Sequence, residues 1–491
     1  MTLQWEQTNQ TSERLGEMVV VALSDKGIQK GTLLSFLDHS VQGGISQLLK
    51  KEGFKGKGGE ARLFPLFHTG SIRYLLAVGA GKEENALHGI RKLAIRAARE
   101  ARRLKVKSIC IELPAAYQSS EALQTAIEGV ILGGYQFDQY KSESEPSVLQ
   151  QISFFLKKKL PPIAFKKAVL FGEKFGTATN FARDLVNTPA CDQAPRVLGR
   201  HAEKIGKLPG ISVRVYTKAE IEKMGMRSFL AVAQGSVEPP VFIHLKYKGR
   251  KKQKVGLIGK GITFDSGGLS LKPGQAMETM KCDMSGAAAV LAVFSVLSEL
   301  KPEVSVEGFI AATENMPSGS ADRPGDIVRT LSGKTIEILN TDAEGRLTLA
   351  DAITFALRQK PDVLIDTATL TGACVVALGE LCAGIMGNDP KLVSALRKAG
   401  ERSGEKIWEL PLIEEYKELI KSPIADLKNI GGKGGGTITA GLFLQEFVGE
   451  FKHWAHIDIA GPAFTEKEFE DLPRGGTGSM VRTFLQYLLN C

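Results

Sequence analysis

The segment VGLIGKGITFDSGGLSLKP, residues 255–273, joins a strand-like run to a polar loop. Its first five residues form a short apolar run of strand length, and the segment after Gly259 is rich in glycine and polar residues. In an open α/β sheet, ligands bind where such strands run into loops at their carboxyl ends. The phosphate-binding patterns GxxxxGK[ST] and GxGxxG are absent from this loop, so a phosphate cradle does not explain its polar residues.

Strand-like and helix-like segments alternate along the rest of the chain. In the first third, residues 87–104 place apolar side chains three and four residues apart, which predicts an amphipathic helix between two strands. Helices are also predicted at 285–297 and 347–358. Short apolar runs predict strands at 18–22, 74–78, 108–113, 255–259, 304–312, 335–339, 362–366 and 455–459. This alternation predicts an α/β fold.

The composition changes to Ser, Glu, Lys and Pro between Lys141 and Pro162. We therefore predict a smaller amino-terminal α/β domain over 1–160. A larger carboxy-terminal α/β domain follows over 161–491, with a mixed sheet flanked by helices. A length of 491 residues fits two large domains.

Composition excludes several classes of protein. With 43% hydrophobic and 24% charged residues, the chain is neither disordered nor collagenous. Its six cysteines form no CxxC pair, which argues against a zinc finger or a disulfide framework. No signal peptide is evident, and the apolar run at 287–297 is too short to span a bilayer. We therefore expect a cytoplasmic protein without a membrane segment.

Carboxylates concentrate in three segments of the second half. In NTDAEGR (residues 340–346), an extended backbone would point Asp342, Glu344 and Arg346 to one face. Two carboxylates held together repel each other unless a cation lies between them or one is protonated. With Asp265 and Asp283, they predict an oxygen-rich site for divalent cations. The alternatives are a solvated loop at 340–346 and a helix cap at Asp283.

Histidine is absent from these three segments, which argues against an HExxH zinc site and a Ser-His-Asp triad there. Their order and spacing resemble the leucyl (cytosol) aminopeptidase family of dinuclear metallo-exopeptidases. The likeness covers roughly residues 165–491, and the first third is only loosely similar. The matching blocks are ARDLVNTPA (182–190), VGLIGKGITFDSGGLSLKP (255–273), MKCDMSGAAAV (280–290), NTDAEGRL (340–347), ATLTGA (368–373) and HIDIAGPA (456–463).

The resemblance assigns roles to individual residues of the larger domain, which it makes the catalytic one. It implies two catalytic residues, Lys272 and Arg346. The implied metal ligands are Lys260, Asp265, Asp283, Asp342 and Glu344, and the implied substrate contacts are Met280, Thr369, Leu370 and Gly372. As a metal ligand, Lys260 would have to be neutral, because an ammonium has no lone pair.

The resemblance also implies the reaction. Two divalent ions, Mn²⁺ or Zn²⁺, would activate water to release N-terminal leucine or other apolar residues from peptides with a free amine. Lys272 would stabilise the developing oxyanion, and Arg346 would hold a bicarbonate that acts as general base. The family further implies a homohexamer.

Two alternatives remain open from the sequence. Some bacterial members of the family are also DNA-binding architectural proteins, and clustered cations fit such a role. The net charge is +9, the run 246–254 is basic, and one helix carries Arg91, Arg96, Arg99, Arg102 and Arg103. Against nucleic-acid binding, the run 246–254 is interpreted as a solvated hairpin turn. The other alternative is an inactive homologue that serves as a scaffold.

Overall fold

The computed structural model describes residues 3–11, 15–23, 32–66, 71–80, 86–114, 117–469 and 471–491. Its contacts divide the chain into two compact units. The amino-terminal unit comprises Met1–Thr177 and Phe469–Asp471, and the carboxy-terminal unit comprises Ala178–Glu468 and Leu472–Cys491. The boundary expected at residue 160 precedes helix α5 (Pro162–Asn187), whereas this division falls inside that helix.

Among its described residues, the amino-terminal unit contains a six-stranded sheet in the order β1-β6-β5-β2-β4-β3. All neighbouring strands are parallel except β3 and β4. The strands are β1 (Gln4–Thr8), β2 (Met18–Leu23), β3 (Ala61–Pro65), β4 (Tyr74–Gly79), β5 (Ser108–Glu112) and β6 (Gln151–Phe155). The helices are α1 (Leu33–Ser40), α2 (Gly44–Lys51), α3 (Ala86–Arg103) and α4 (Ser120–Gly133). Helices cover a mostly parallel sheet, as the sequence predicts.

Acidic neighbours offset part of the positive charge that the arginines of α3 carry. Arg91 is buried and forms an ion pair of 2.7 Å with Glu128 of α4. Arg96 and Arg103 both lie within ion-pair distance of Glu100. Glu128 and Glu100 therefore balance part of the charge predicted for this face.

The carboxy-terminal unit is built on an eight-stranded sheet in the order β15-β14-β17-β13-β9-β10-β8-β7. Its central strands β17, β13, β9 and β10 are parallel, and β7, β8 and β14 make it a mixed sheet. The strands are β7 (Ile211–Tyr216), β8 (Val241–Tyr247), β9 (Lys254–Asp265), β10 (Ser305–Asn315), β13 (Val363–Ala368), β14 (Cys382–Gly387), β15 (Lys406–Glu409) and β17 (Trp454–Asp458).

Two small sheets accompany it in the order β11-β12-β16 and as the pair β18-β19. Their strands are β11 (Ile327–Arg329), β12 (Thr335–Glu337), β16 (Leu427–Lys428), β18 (Phe464–Thr465) and β19 (Gly475–Gly476). The helices of the unit are α6 (Pro195–Ile205), α7 (Lys218–Met224), α8 (Arg227–Ala233), α9 (Gly274–Met277), α10 (Ser285–Leu300), α11 (Gly345–Arg358), α12 (Gly372–Leu378), α13 (Pro390–Ser403), α14 (Gly436–Val448) and α15 (Val481–Leu488). Two 3-10 helices lie at Met280–Met284 and Glu414–Ile420.

Helix α10 forms part of the core. Together with the preceding 3-10 turn, Met280–Leu300 is long and apolar enough to cross a membrane, but 83% of its most apolar window is buried inside the protein. It packs against β9, β10 and α15. Its apolar surface is thus covered by the unit itself.

The basic segment 246–254 does not form the hairpin turn that the sequence suggests. Strand β10 lies between β8 and β9, so the segment crosses one strand instead of joining neighbours. Lys251 and Arg250 lie 3.2 and 3.4 Å from Glu303. Lys254 lies 3.0 Å from Glu307. The charges of this segment are partly neutralised by neighbouring acids.

Candidate metal centre

The three segments singled out in the sequence meet at the carboxyl ends of β9 and β13. Asp265 ends β9, and Asp283 lies on the 3-10 turn before α10. Asp342 and Glu344 precede α11. The extended conformation expected for 342–346 is wrong, because Glu344 has helical dihedral angles and is the N-cap residue of α11. A turn followed by a helix start therefore gathers these side chains.

Two lysines lie between the four carboxylates. The Nζ of Lys260 is 2.8 Å from both Asp283 Oδ1 and Glu344 Oε1. The Nζ of Lys272 is 2.9 Å from Asp265 Oδ2 and also contacts Asp342. We call these six residues the carboxylate–lysine cluster. Its geometry joins all five expected metal ligands with one of the two expected catalytic residues.

The cluster has more acceptors than donors. Asp265, Asp342 and Glu344 each offer an oxygen that lies within 4.8 Å of the others. Asp283 Oδ2 is buried, and no described residue donates a hydrogen bond to it. Four carboxylates balanced by two ammonium groups leave unpaired negative charge, which is costly in a buried site. Hard oxygen donors of this kind fit divalent cations.

Glycines shape the loop that carries this chemistry. Gly267 and Gly268 have φ of +85° and +63°, in the left-handed region that favours glycine. A Cβ at Gly267 would lie 2.8 Å from Asp342 Oδ1, and one at Gly345 would lie 2.5 Å from Lys260 Cε. Larger residues would therefore separate the segments that form the cluster.

On Lys260, Lys272 and Asp283, burial and the oppositely charged neighbours act on the pKa in opposite directions. Burial alone would lower the pKa of Lys260, but Asp283, Glu344 and Asp265 outweigh it and raise that pKa. The pKa of Lys272 is raised in the same way, because its carboxylate neighbours outweigh burial. Burial raises the pKa of Asp283 despite Lys260. The protein alone thus favours charged lysines and disfavours charged carboxylates.

Arg346 lies buried at the start of α11, beside the cluster. Its Nη1 donates a hydrogen bond of 2.6 Å to the Asn429 carbonyl, and its guanidinium lies 6.0 Å from the Phe443 ring centre. Its Nε has no hydrogen-bond partner among the described residues. Burial lowers the pKa of Arg346 to about 10, with Glu344 acting against the shift. It remains a cation at neutral pH.

The expected substrate-contact residues lie on two segments near Asp283. Thr369 donates a hydrogen bond of 2.7 Å to Asp283 Oδ1, and its carbonyl accepts one of 2.9 Å from Lys260. Leu370 is half-buried, and Gly372 begins α12. Met280 is half-buried on the turn that carries Asp283. The structure joins Thr369 to the cluster directly.

Three residues that the sequence did not single out support the site. The side-chain amide of Asn315 donates hydrogen bonds of 2.8 Å to Asp265 Oδ1 and 3.0 Å to the Thr341 carbonyl. It therefore links the two loops that carry ligands. Asn429 holds Arg346, and Asp458 accepts a hydrogen bond of 3.1 Å from the Leu370 amide. Asn315 and Asp458 each end a strand, as Asp265 does, so a polar residue at a strand end is the signal that could have found them.

A second buried ionic cluster lies on β13 and β17. The Nδ1 of His456 is 2.5 Å from Asp366 Oδ1, and Trp454 Nε1 donates a hydrogen bond of 2.7 Å to Asp366 Oδ2. Both charged side chains are fully buried. Burial would lower the pKa of His456, but Asp366 outweighs it and raises that pKa.

Known proteins share both units. Residues 180–485 match the profile of the cytosol aminopeptidase family, catalytic domain, and residues 19–144 match that family's N-terminal domain. A probable cytosol aminopeptidase of Persephonella marina is 46% identical, covering 92% of this chain and 93% of its own. One of Aquifex aeolicus is 44% identical, covering 93% and 92%.

Solved structures agree. A mutant of tomato leucine aminopeptidase superposes with a TM-score of 0.91 at 34% identity, covering 100% of this chain and 97% of its own. The bottromycin maturation enzyme BotP in complex with Mn gives a TM-score of 0.85 at 34% identity, covering 97% and 99%. The chain belongs to the cytosol aminopeptidase family and is a metallo-aminopeptidase.

Proposed function

We propose that this aminopeptidase releases N-terminal leucine and other apolar residues from peptides by two-metal activation of water. The observation that carries the proposal is the carboxylate–lysine cluster with its excess of buried acceptors. The proposed ligands are Lys260, Asp265, Asp283, Asp342 and Glu344. Divalent ions bound there would polarise a carbonyl and lower the pKa of water. The manganese in the related BotP structure supports Mn²⁺, and Zn²⁺ suits the same ligands.

The two lysines would play different parts because their exposure differs. The Lys272 side chain is 16% exposed and that of Lys260 is 3% exposed. Lys272 is therefore the better placed of the two to contact a substrate, and its carboxylate neighbours raise its pKa, which favours the protonated form. A cation in this position stabilises the oxyanion that develops on the scissile carbonyl. Lys260 would be a ligand only as a neutral amine, a state that adjacent divalent ions favour by repulsion.

Arg346 would bind a small anion, for which bicarbonate is the proposed occupant. Its Nη1 is held by a carbonyl, its Nε has no partner among the described residues, and it keeps its charge in a buried position. A bicarbonate there could accept the proton that the attacking water loses. Removal of bicarbonate from metal-loaded protein should then lower kcat.

Substrate choice would depend on Met280, Thr369, Leu370 and Gly372. Side chains of this kind make an apolar, small-walled pocket that suits leucine, although one methylene changes the free energy of binding by only about 1–3 kcal/mol. We therefore propose a broad preference for apolar N-terminal residues. We also propose a cytoplasmic homohexamer, for which the name of the related cytosol aminopeptidases supports the location. Light scattering that gives a monomer mass would contradict the hexamer.

The deciding experiment is hydrolysis of a leucine anilide by metal-stripped protein, with Mn²⁺ or Zn²⁺ added back. We expect activity only with metal, and none on the N-acetylated leucine anilide. If folded protein hydrolyses no leucine anilide with any of the metals, the proposal is contradicted. Because Glu303 and Glu307 partly neutralise segment 246–254, no specific observation favours nucleic-acid binding as a second function.

A further inference from the structure

A groove of about 560 Å³ lies in the carboxy-terminal unit between strand β11 and helices α7 and α8. No residue of the carboxylate–lysine cluster lines it. We call it the β11 groove. Its lining residues are Lys218, Glu222, Arg227, Leu230, Gln234, Ile327, Val328, Arg329 and Thr335. Peptide hydrolysis as proposed above assigns it no role.

One wall of the groove is an open strand edge. Strand β11 is the edge strand of its sheet and pairs only with β12 among the described strands. Thr330 donates to the Lys334 carbonyl and Ile338 to the Asp326 carbonyl, both at 2.8 Å. In an antiparallel pair, these bonds point every second residue towards the partner strand. Asp326, Val328 and Thr330 face β12, so the N–H and C=O groups of the alternate residues, Ile327 and Arg329, point away from it.

The open edge borders the groove. Side chains from both faces of β11 line it, as expected where a groove runs along the edge of a strand. Within the described part of the chain, no residue hydrogen-bonds the outward N–H and C=O of Ile327 and Arg329. An unpaired edge of this kind is a template for another extended chain.

The charges around the groove favour an acidic occupant. Lys218, Arg227 and Arg329 line it with a single acid, Glu222. Arg329 donates to the Gly333 carbonyl at 2.8 Å. The exposed side chains of Lys218 and Arg227 form no ion pair or hydrogen bond with the residues that the structure describes.

The remaining lining is apolar. Leu230 is half-buried, and Ile327 is 45% exposed. Backbone edge, apolar strip and flanking cations together match an extended peptide that alternates apolar and acidic residues. A nucleic acid would leave the backbone N–H and C=O groups of the edge poorly used.

We propose that the β11 groove binds an extended acidic peptide segment, which adds a strand beside β11 and places carboxylates on Lys218 and Arg227. The test uses full-length, metal-loaded protein and fluorescence polarisation. The probe is an N-acetylated decapeptide of alternating Glu and Val with a carboxy-terminal fluorescein. The acetyl group prevents its use as an aminopeptidase substrate. A decapeptide of alternating Lys and Val is the charge control.

Two variants test the two parts of the proposal. Arg227→Glu should weaken binding about tenfold by reversing one ion pair. Ile327→Pro should weaken it about fivefold, because it removes an outward N–H without breaking a bond to β12. The matched control is Lys223→Glu on α7, outside the groove lining, with an expected change below about twofold. All three should hydrolyse leucine anilide at the unaltered rate.

Equal binding of the Lys peptide, or unchanged binding by Arg227→Glu and Ile327→Pro, would overturn the proposal. So would an absence of probe binding at low salt. If Arg227→Glu instead dissociates an oligomer in sedimentation while no peptide binds, a second copy occupies the groove and the proposal is wrong. Failure of the leucine anilide assay would leave the peptide-binding measurement intact, so the two proposals fail separately.

Discussion

Two of the sites where the carboxy-terminal unit buries ionisable side chains differ in the balance of hydrogen-bond donors and acceptors. Asp366 has a donor on each oxygen, from His456 and Trp454. In the carboxylate–lysine cluster, four carboxylates share two lysines, and Asp283 Oδ2 has no donor among the described residues.

The difference separates a structural pair from the proposed metal site. Removing charge from water is costly, and a buried pair offsets that cost only when its remaining hydrogen-bonding groups are satisfied. Protein groups alone meet this condition for both oxygens of Asp366, whereas His456 Nε2 has no hydrogen-bond partner among the described residues. The carboxylate–lysine cluster would need added positive charge to meet it, and divalent ions bound as proposed would supply that charge.

Replacing Lys272 should have the largest effect. Lys272→Met keeps most of the side-chain volume but removes the cation, so kcat/KM on leucine anilide should fall by about 10²–10³. Metal content, measured by elemental analysis, should stay unchanged. Lys251→Met is the matched control on an exposed lysine. Unchanged activity of Lys272→Met would refute its catalytic role.

Replacing Asn315 should lower the affinity for metal, an effect that can be measured separately from catalysis. Asn315→Leu removes the amide that orients Asp265, and outer-shell changes of this kind cost about 10–100-fold in metal affinity. Calorimetric titration of stripped protein with Mn²⁺ measures this without an activity assay. The same change at Asn388, which bonds the Phe451 carbonyl, is the control. Equal affinities would show that Asn315 does not position Asp265.

The Asp366–His456 pair should make stability depend on pH. Because the folded pKa of His456 is raised, its contribution is complete below the unfolded pKa of about 6.5. It is lost as pH rises from there through the folded pKa, since the unfolded state releases its proton first. Urea unfolding between pH 6 and 9 should show this decline. In Asp366→Asn the slope should be much smaller, and an unaltered slope would contradict the assignment.

An exposed charge should matter least. Lys251 lies 3.2 Å from Glu303, and both side chains are about half exposed. Lys251→Ala should lower the free energy of unfolding by no more than about 1 kcal/mol, because water and salt screen such pairs. Thermal unfolding at low and high salt checks this. A larger loss of unfolding free energy would mean that exposed and buried ion pairs do not differ in their contribution to stability.

Local patterns predict the two helices of the site closely, whereas the strand predicted at 255–259 ends six residues before β9 does at Asp265. The apolar periodicity of 285–297 and 347–358 marks α10 and α11 to within three residues at each end. The spacing of apolar residues and the polarity of side chains are local properties, which can be read from a short window of sequence. Only the family resemblance identified Lys260 as a candidate ligand, because a single lysine at a strand end gives no sign of metal binding.

Long-range pairing could not be predicted from these patterns. Segment 246–254 was expected to join neighbouring strands, but β10, fifty residues later, lies between them. Glu344 is expected in an extended backbone, but the turn that begins α11 gives it helical dihedral angles. Asn315 acts through Thr341 and Asp265, which are distant in sequence. Each outcome depends on tertiary contacts that no local window contains.

The covering of α10 has a consequence for synthesis of the chain. The helix leaves the ribosome as an apolar segment of membrane-span length, before β10 exists. Its contact with α15 waits for residues 481–488. At about 5–20 residues per second, that contact forms roughly ten to forty seconds later. During this interval the apolar surface of α10 that α15 later covers is exposed on the nascent chain, which favours aggregation. We therefore expect the yield of folded enzyme to depend on chaperone supply and on the rate of translation.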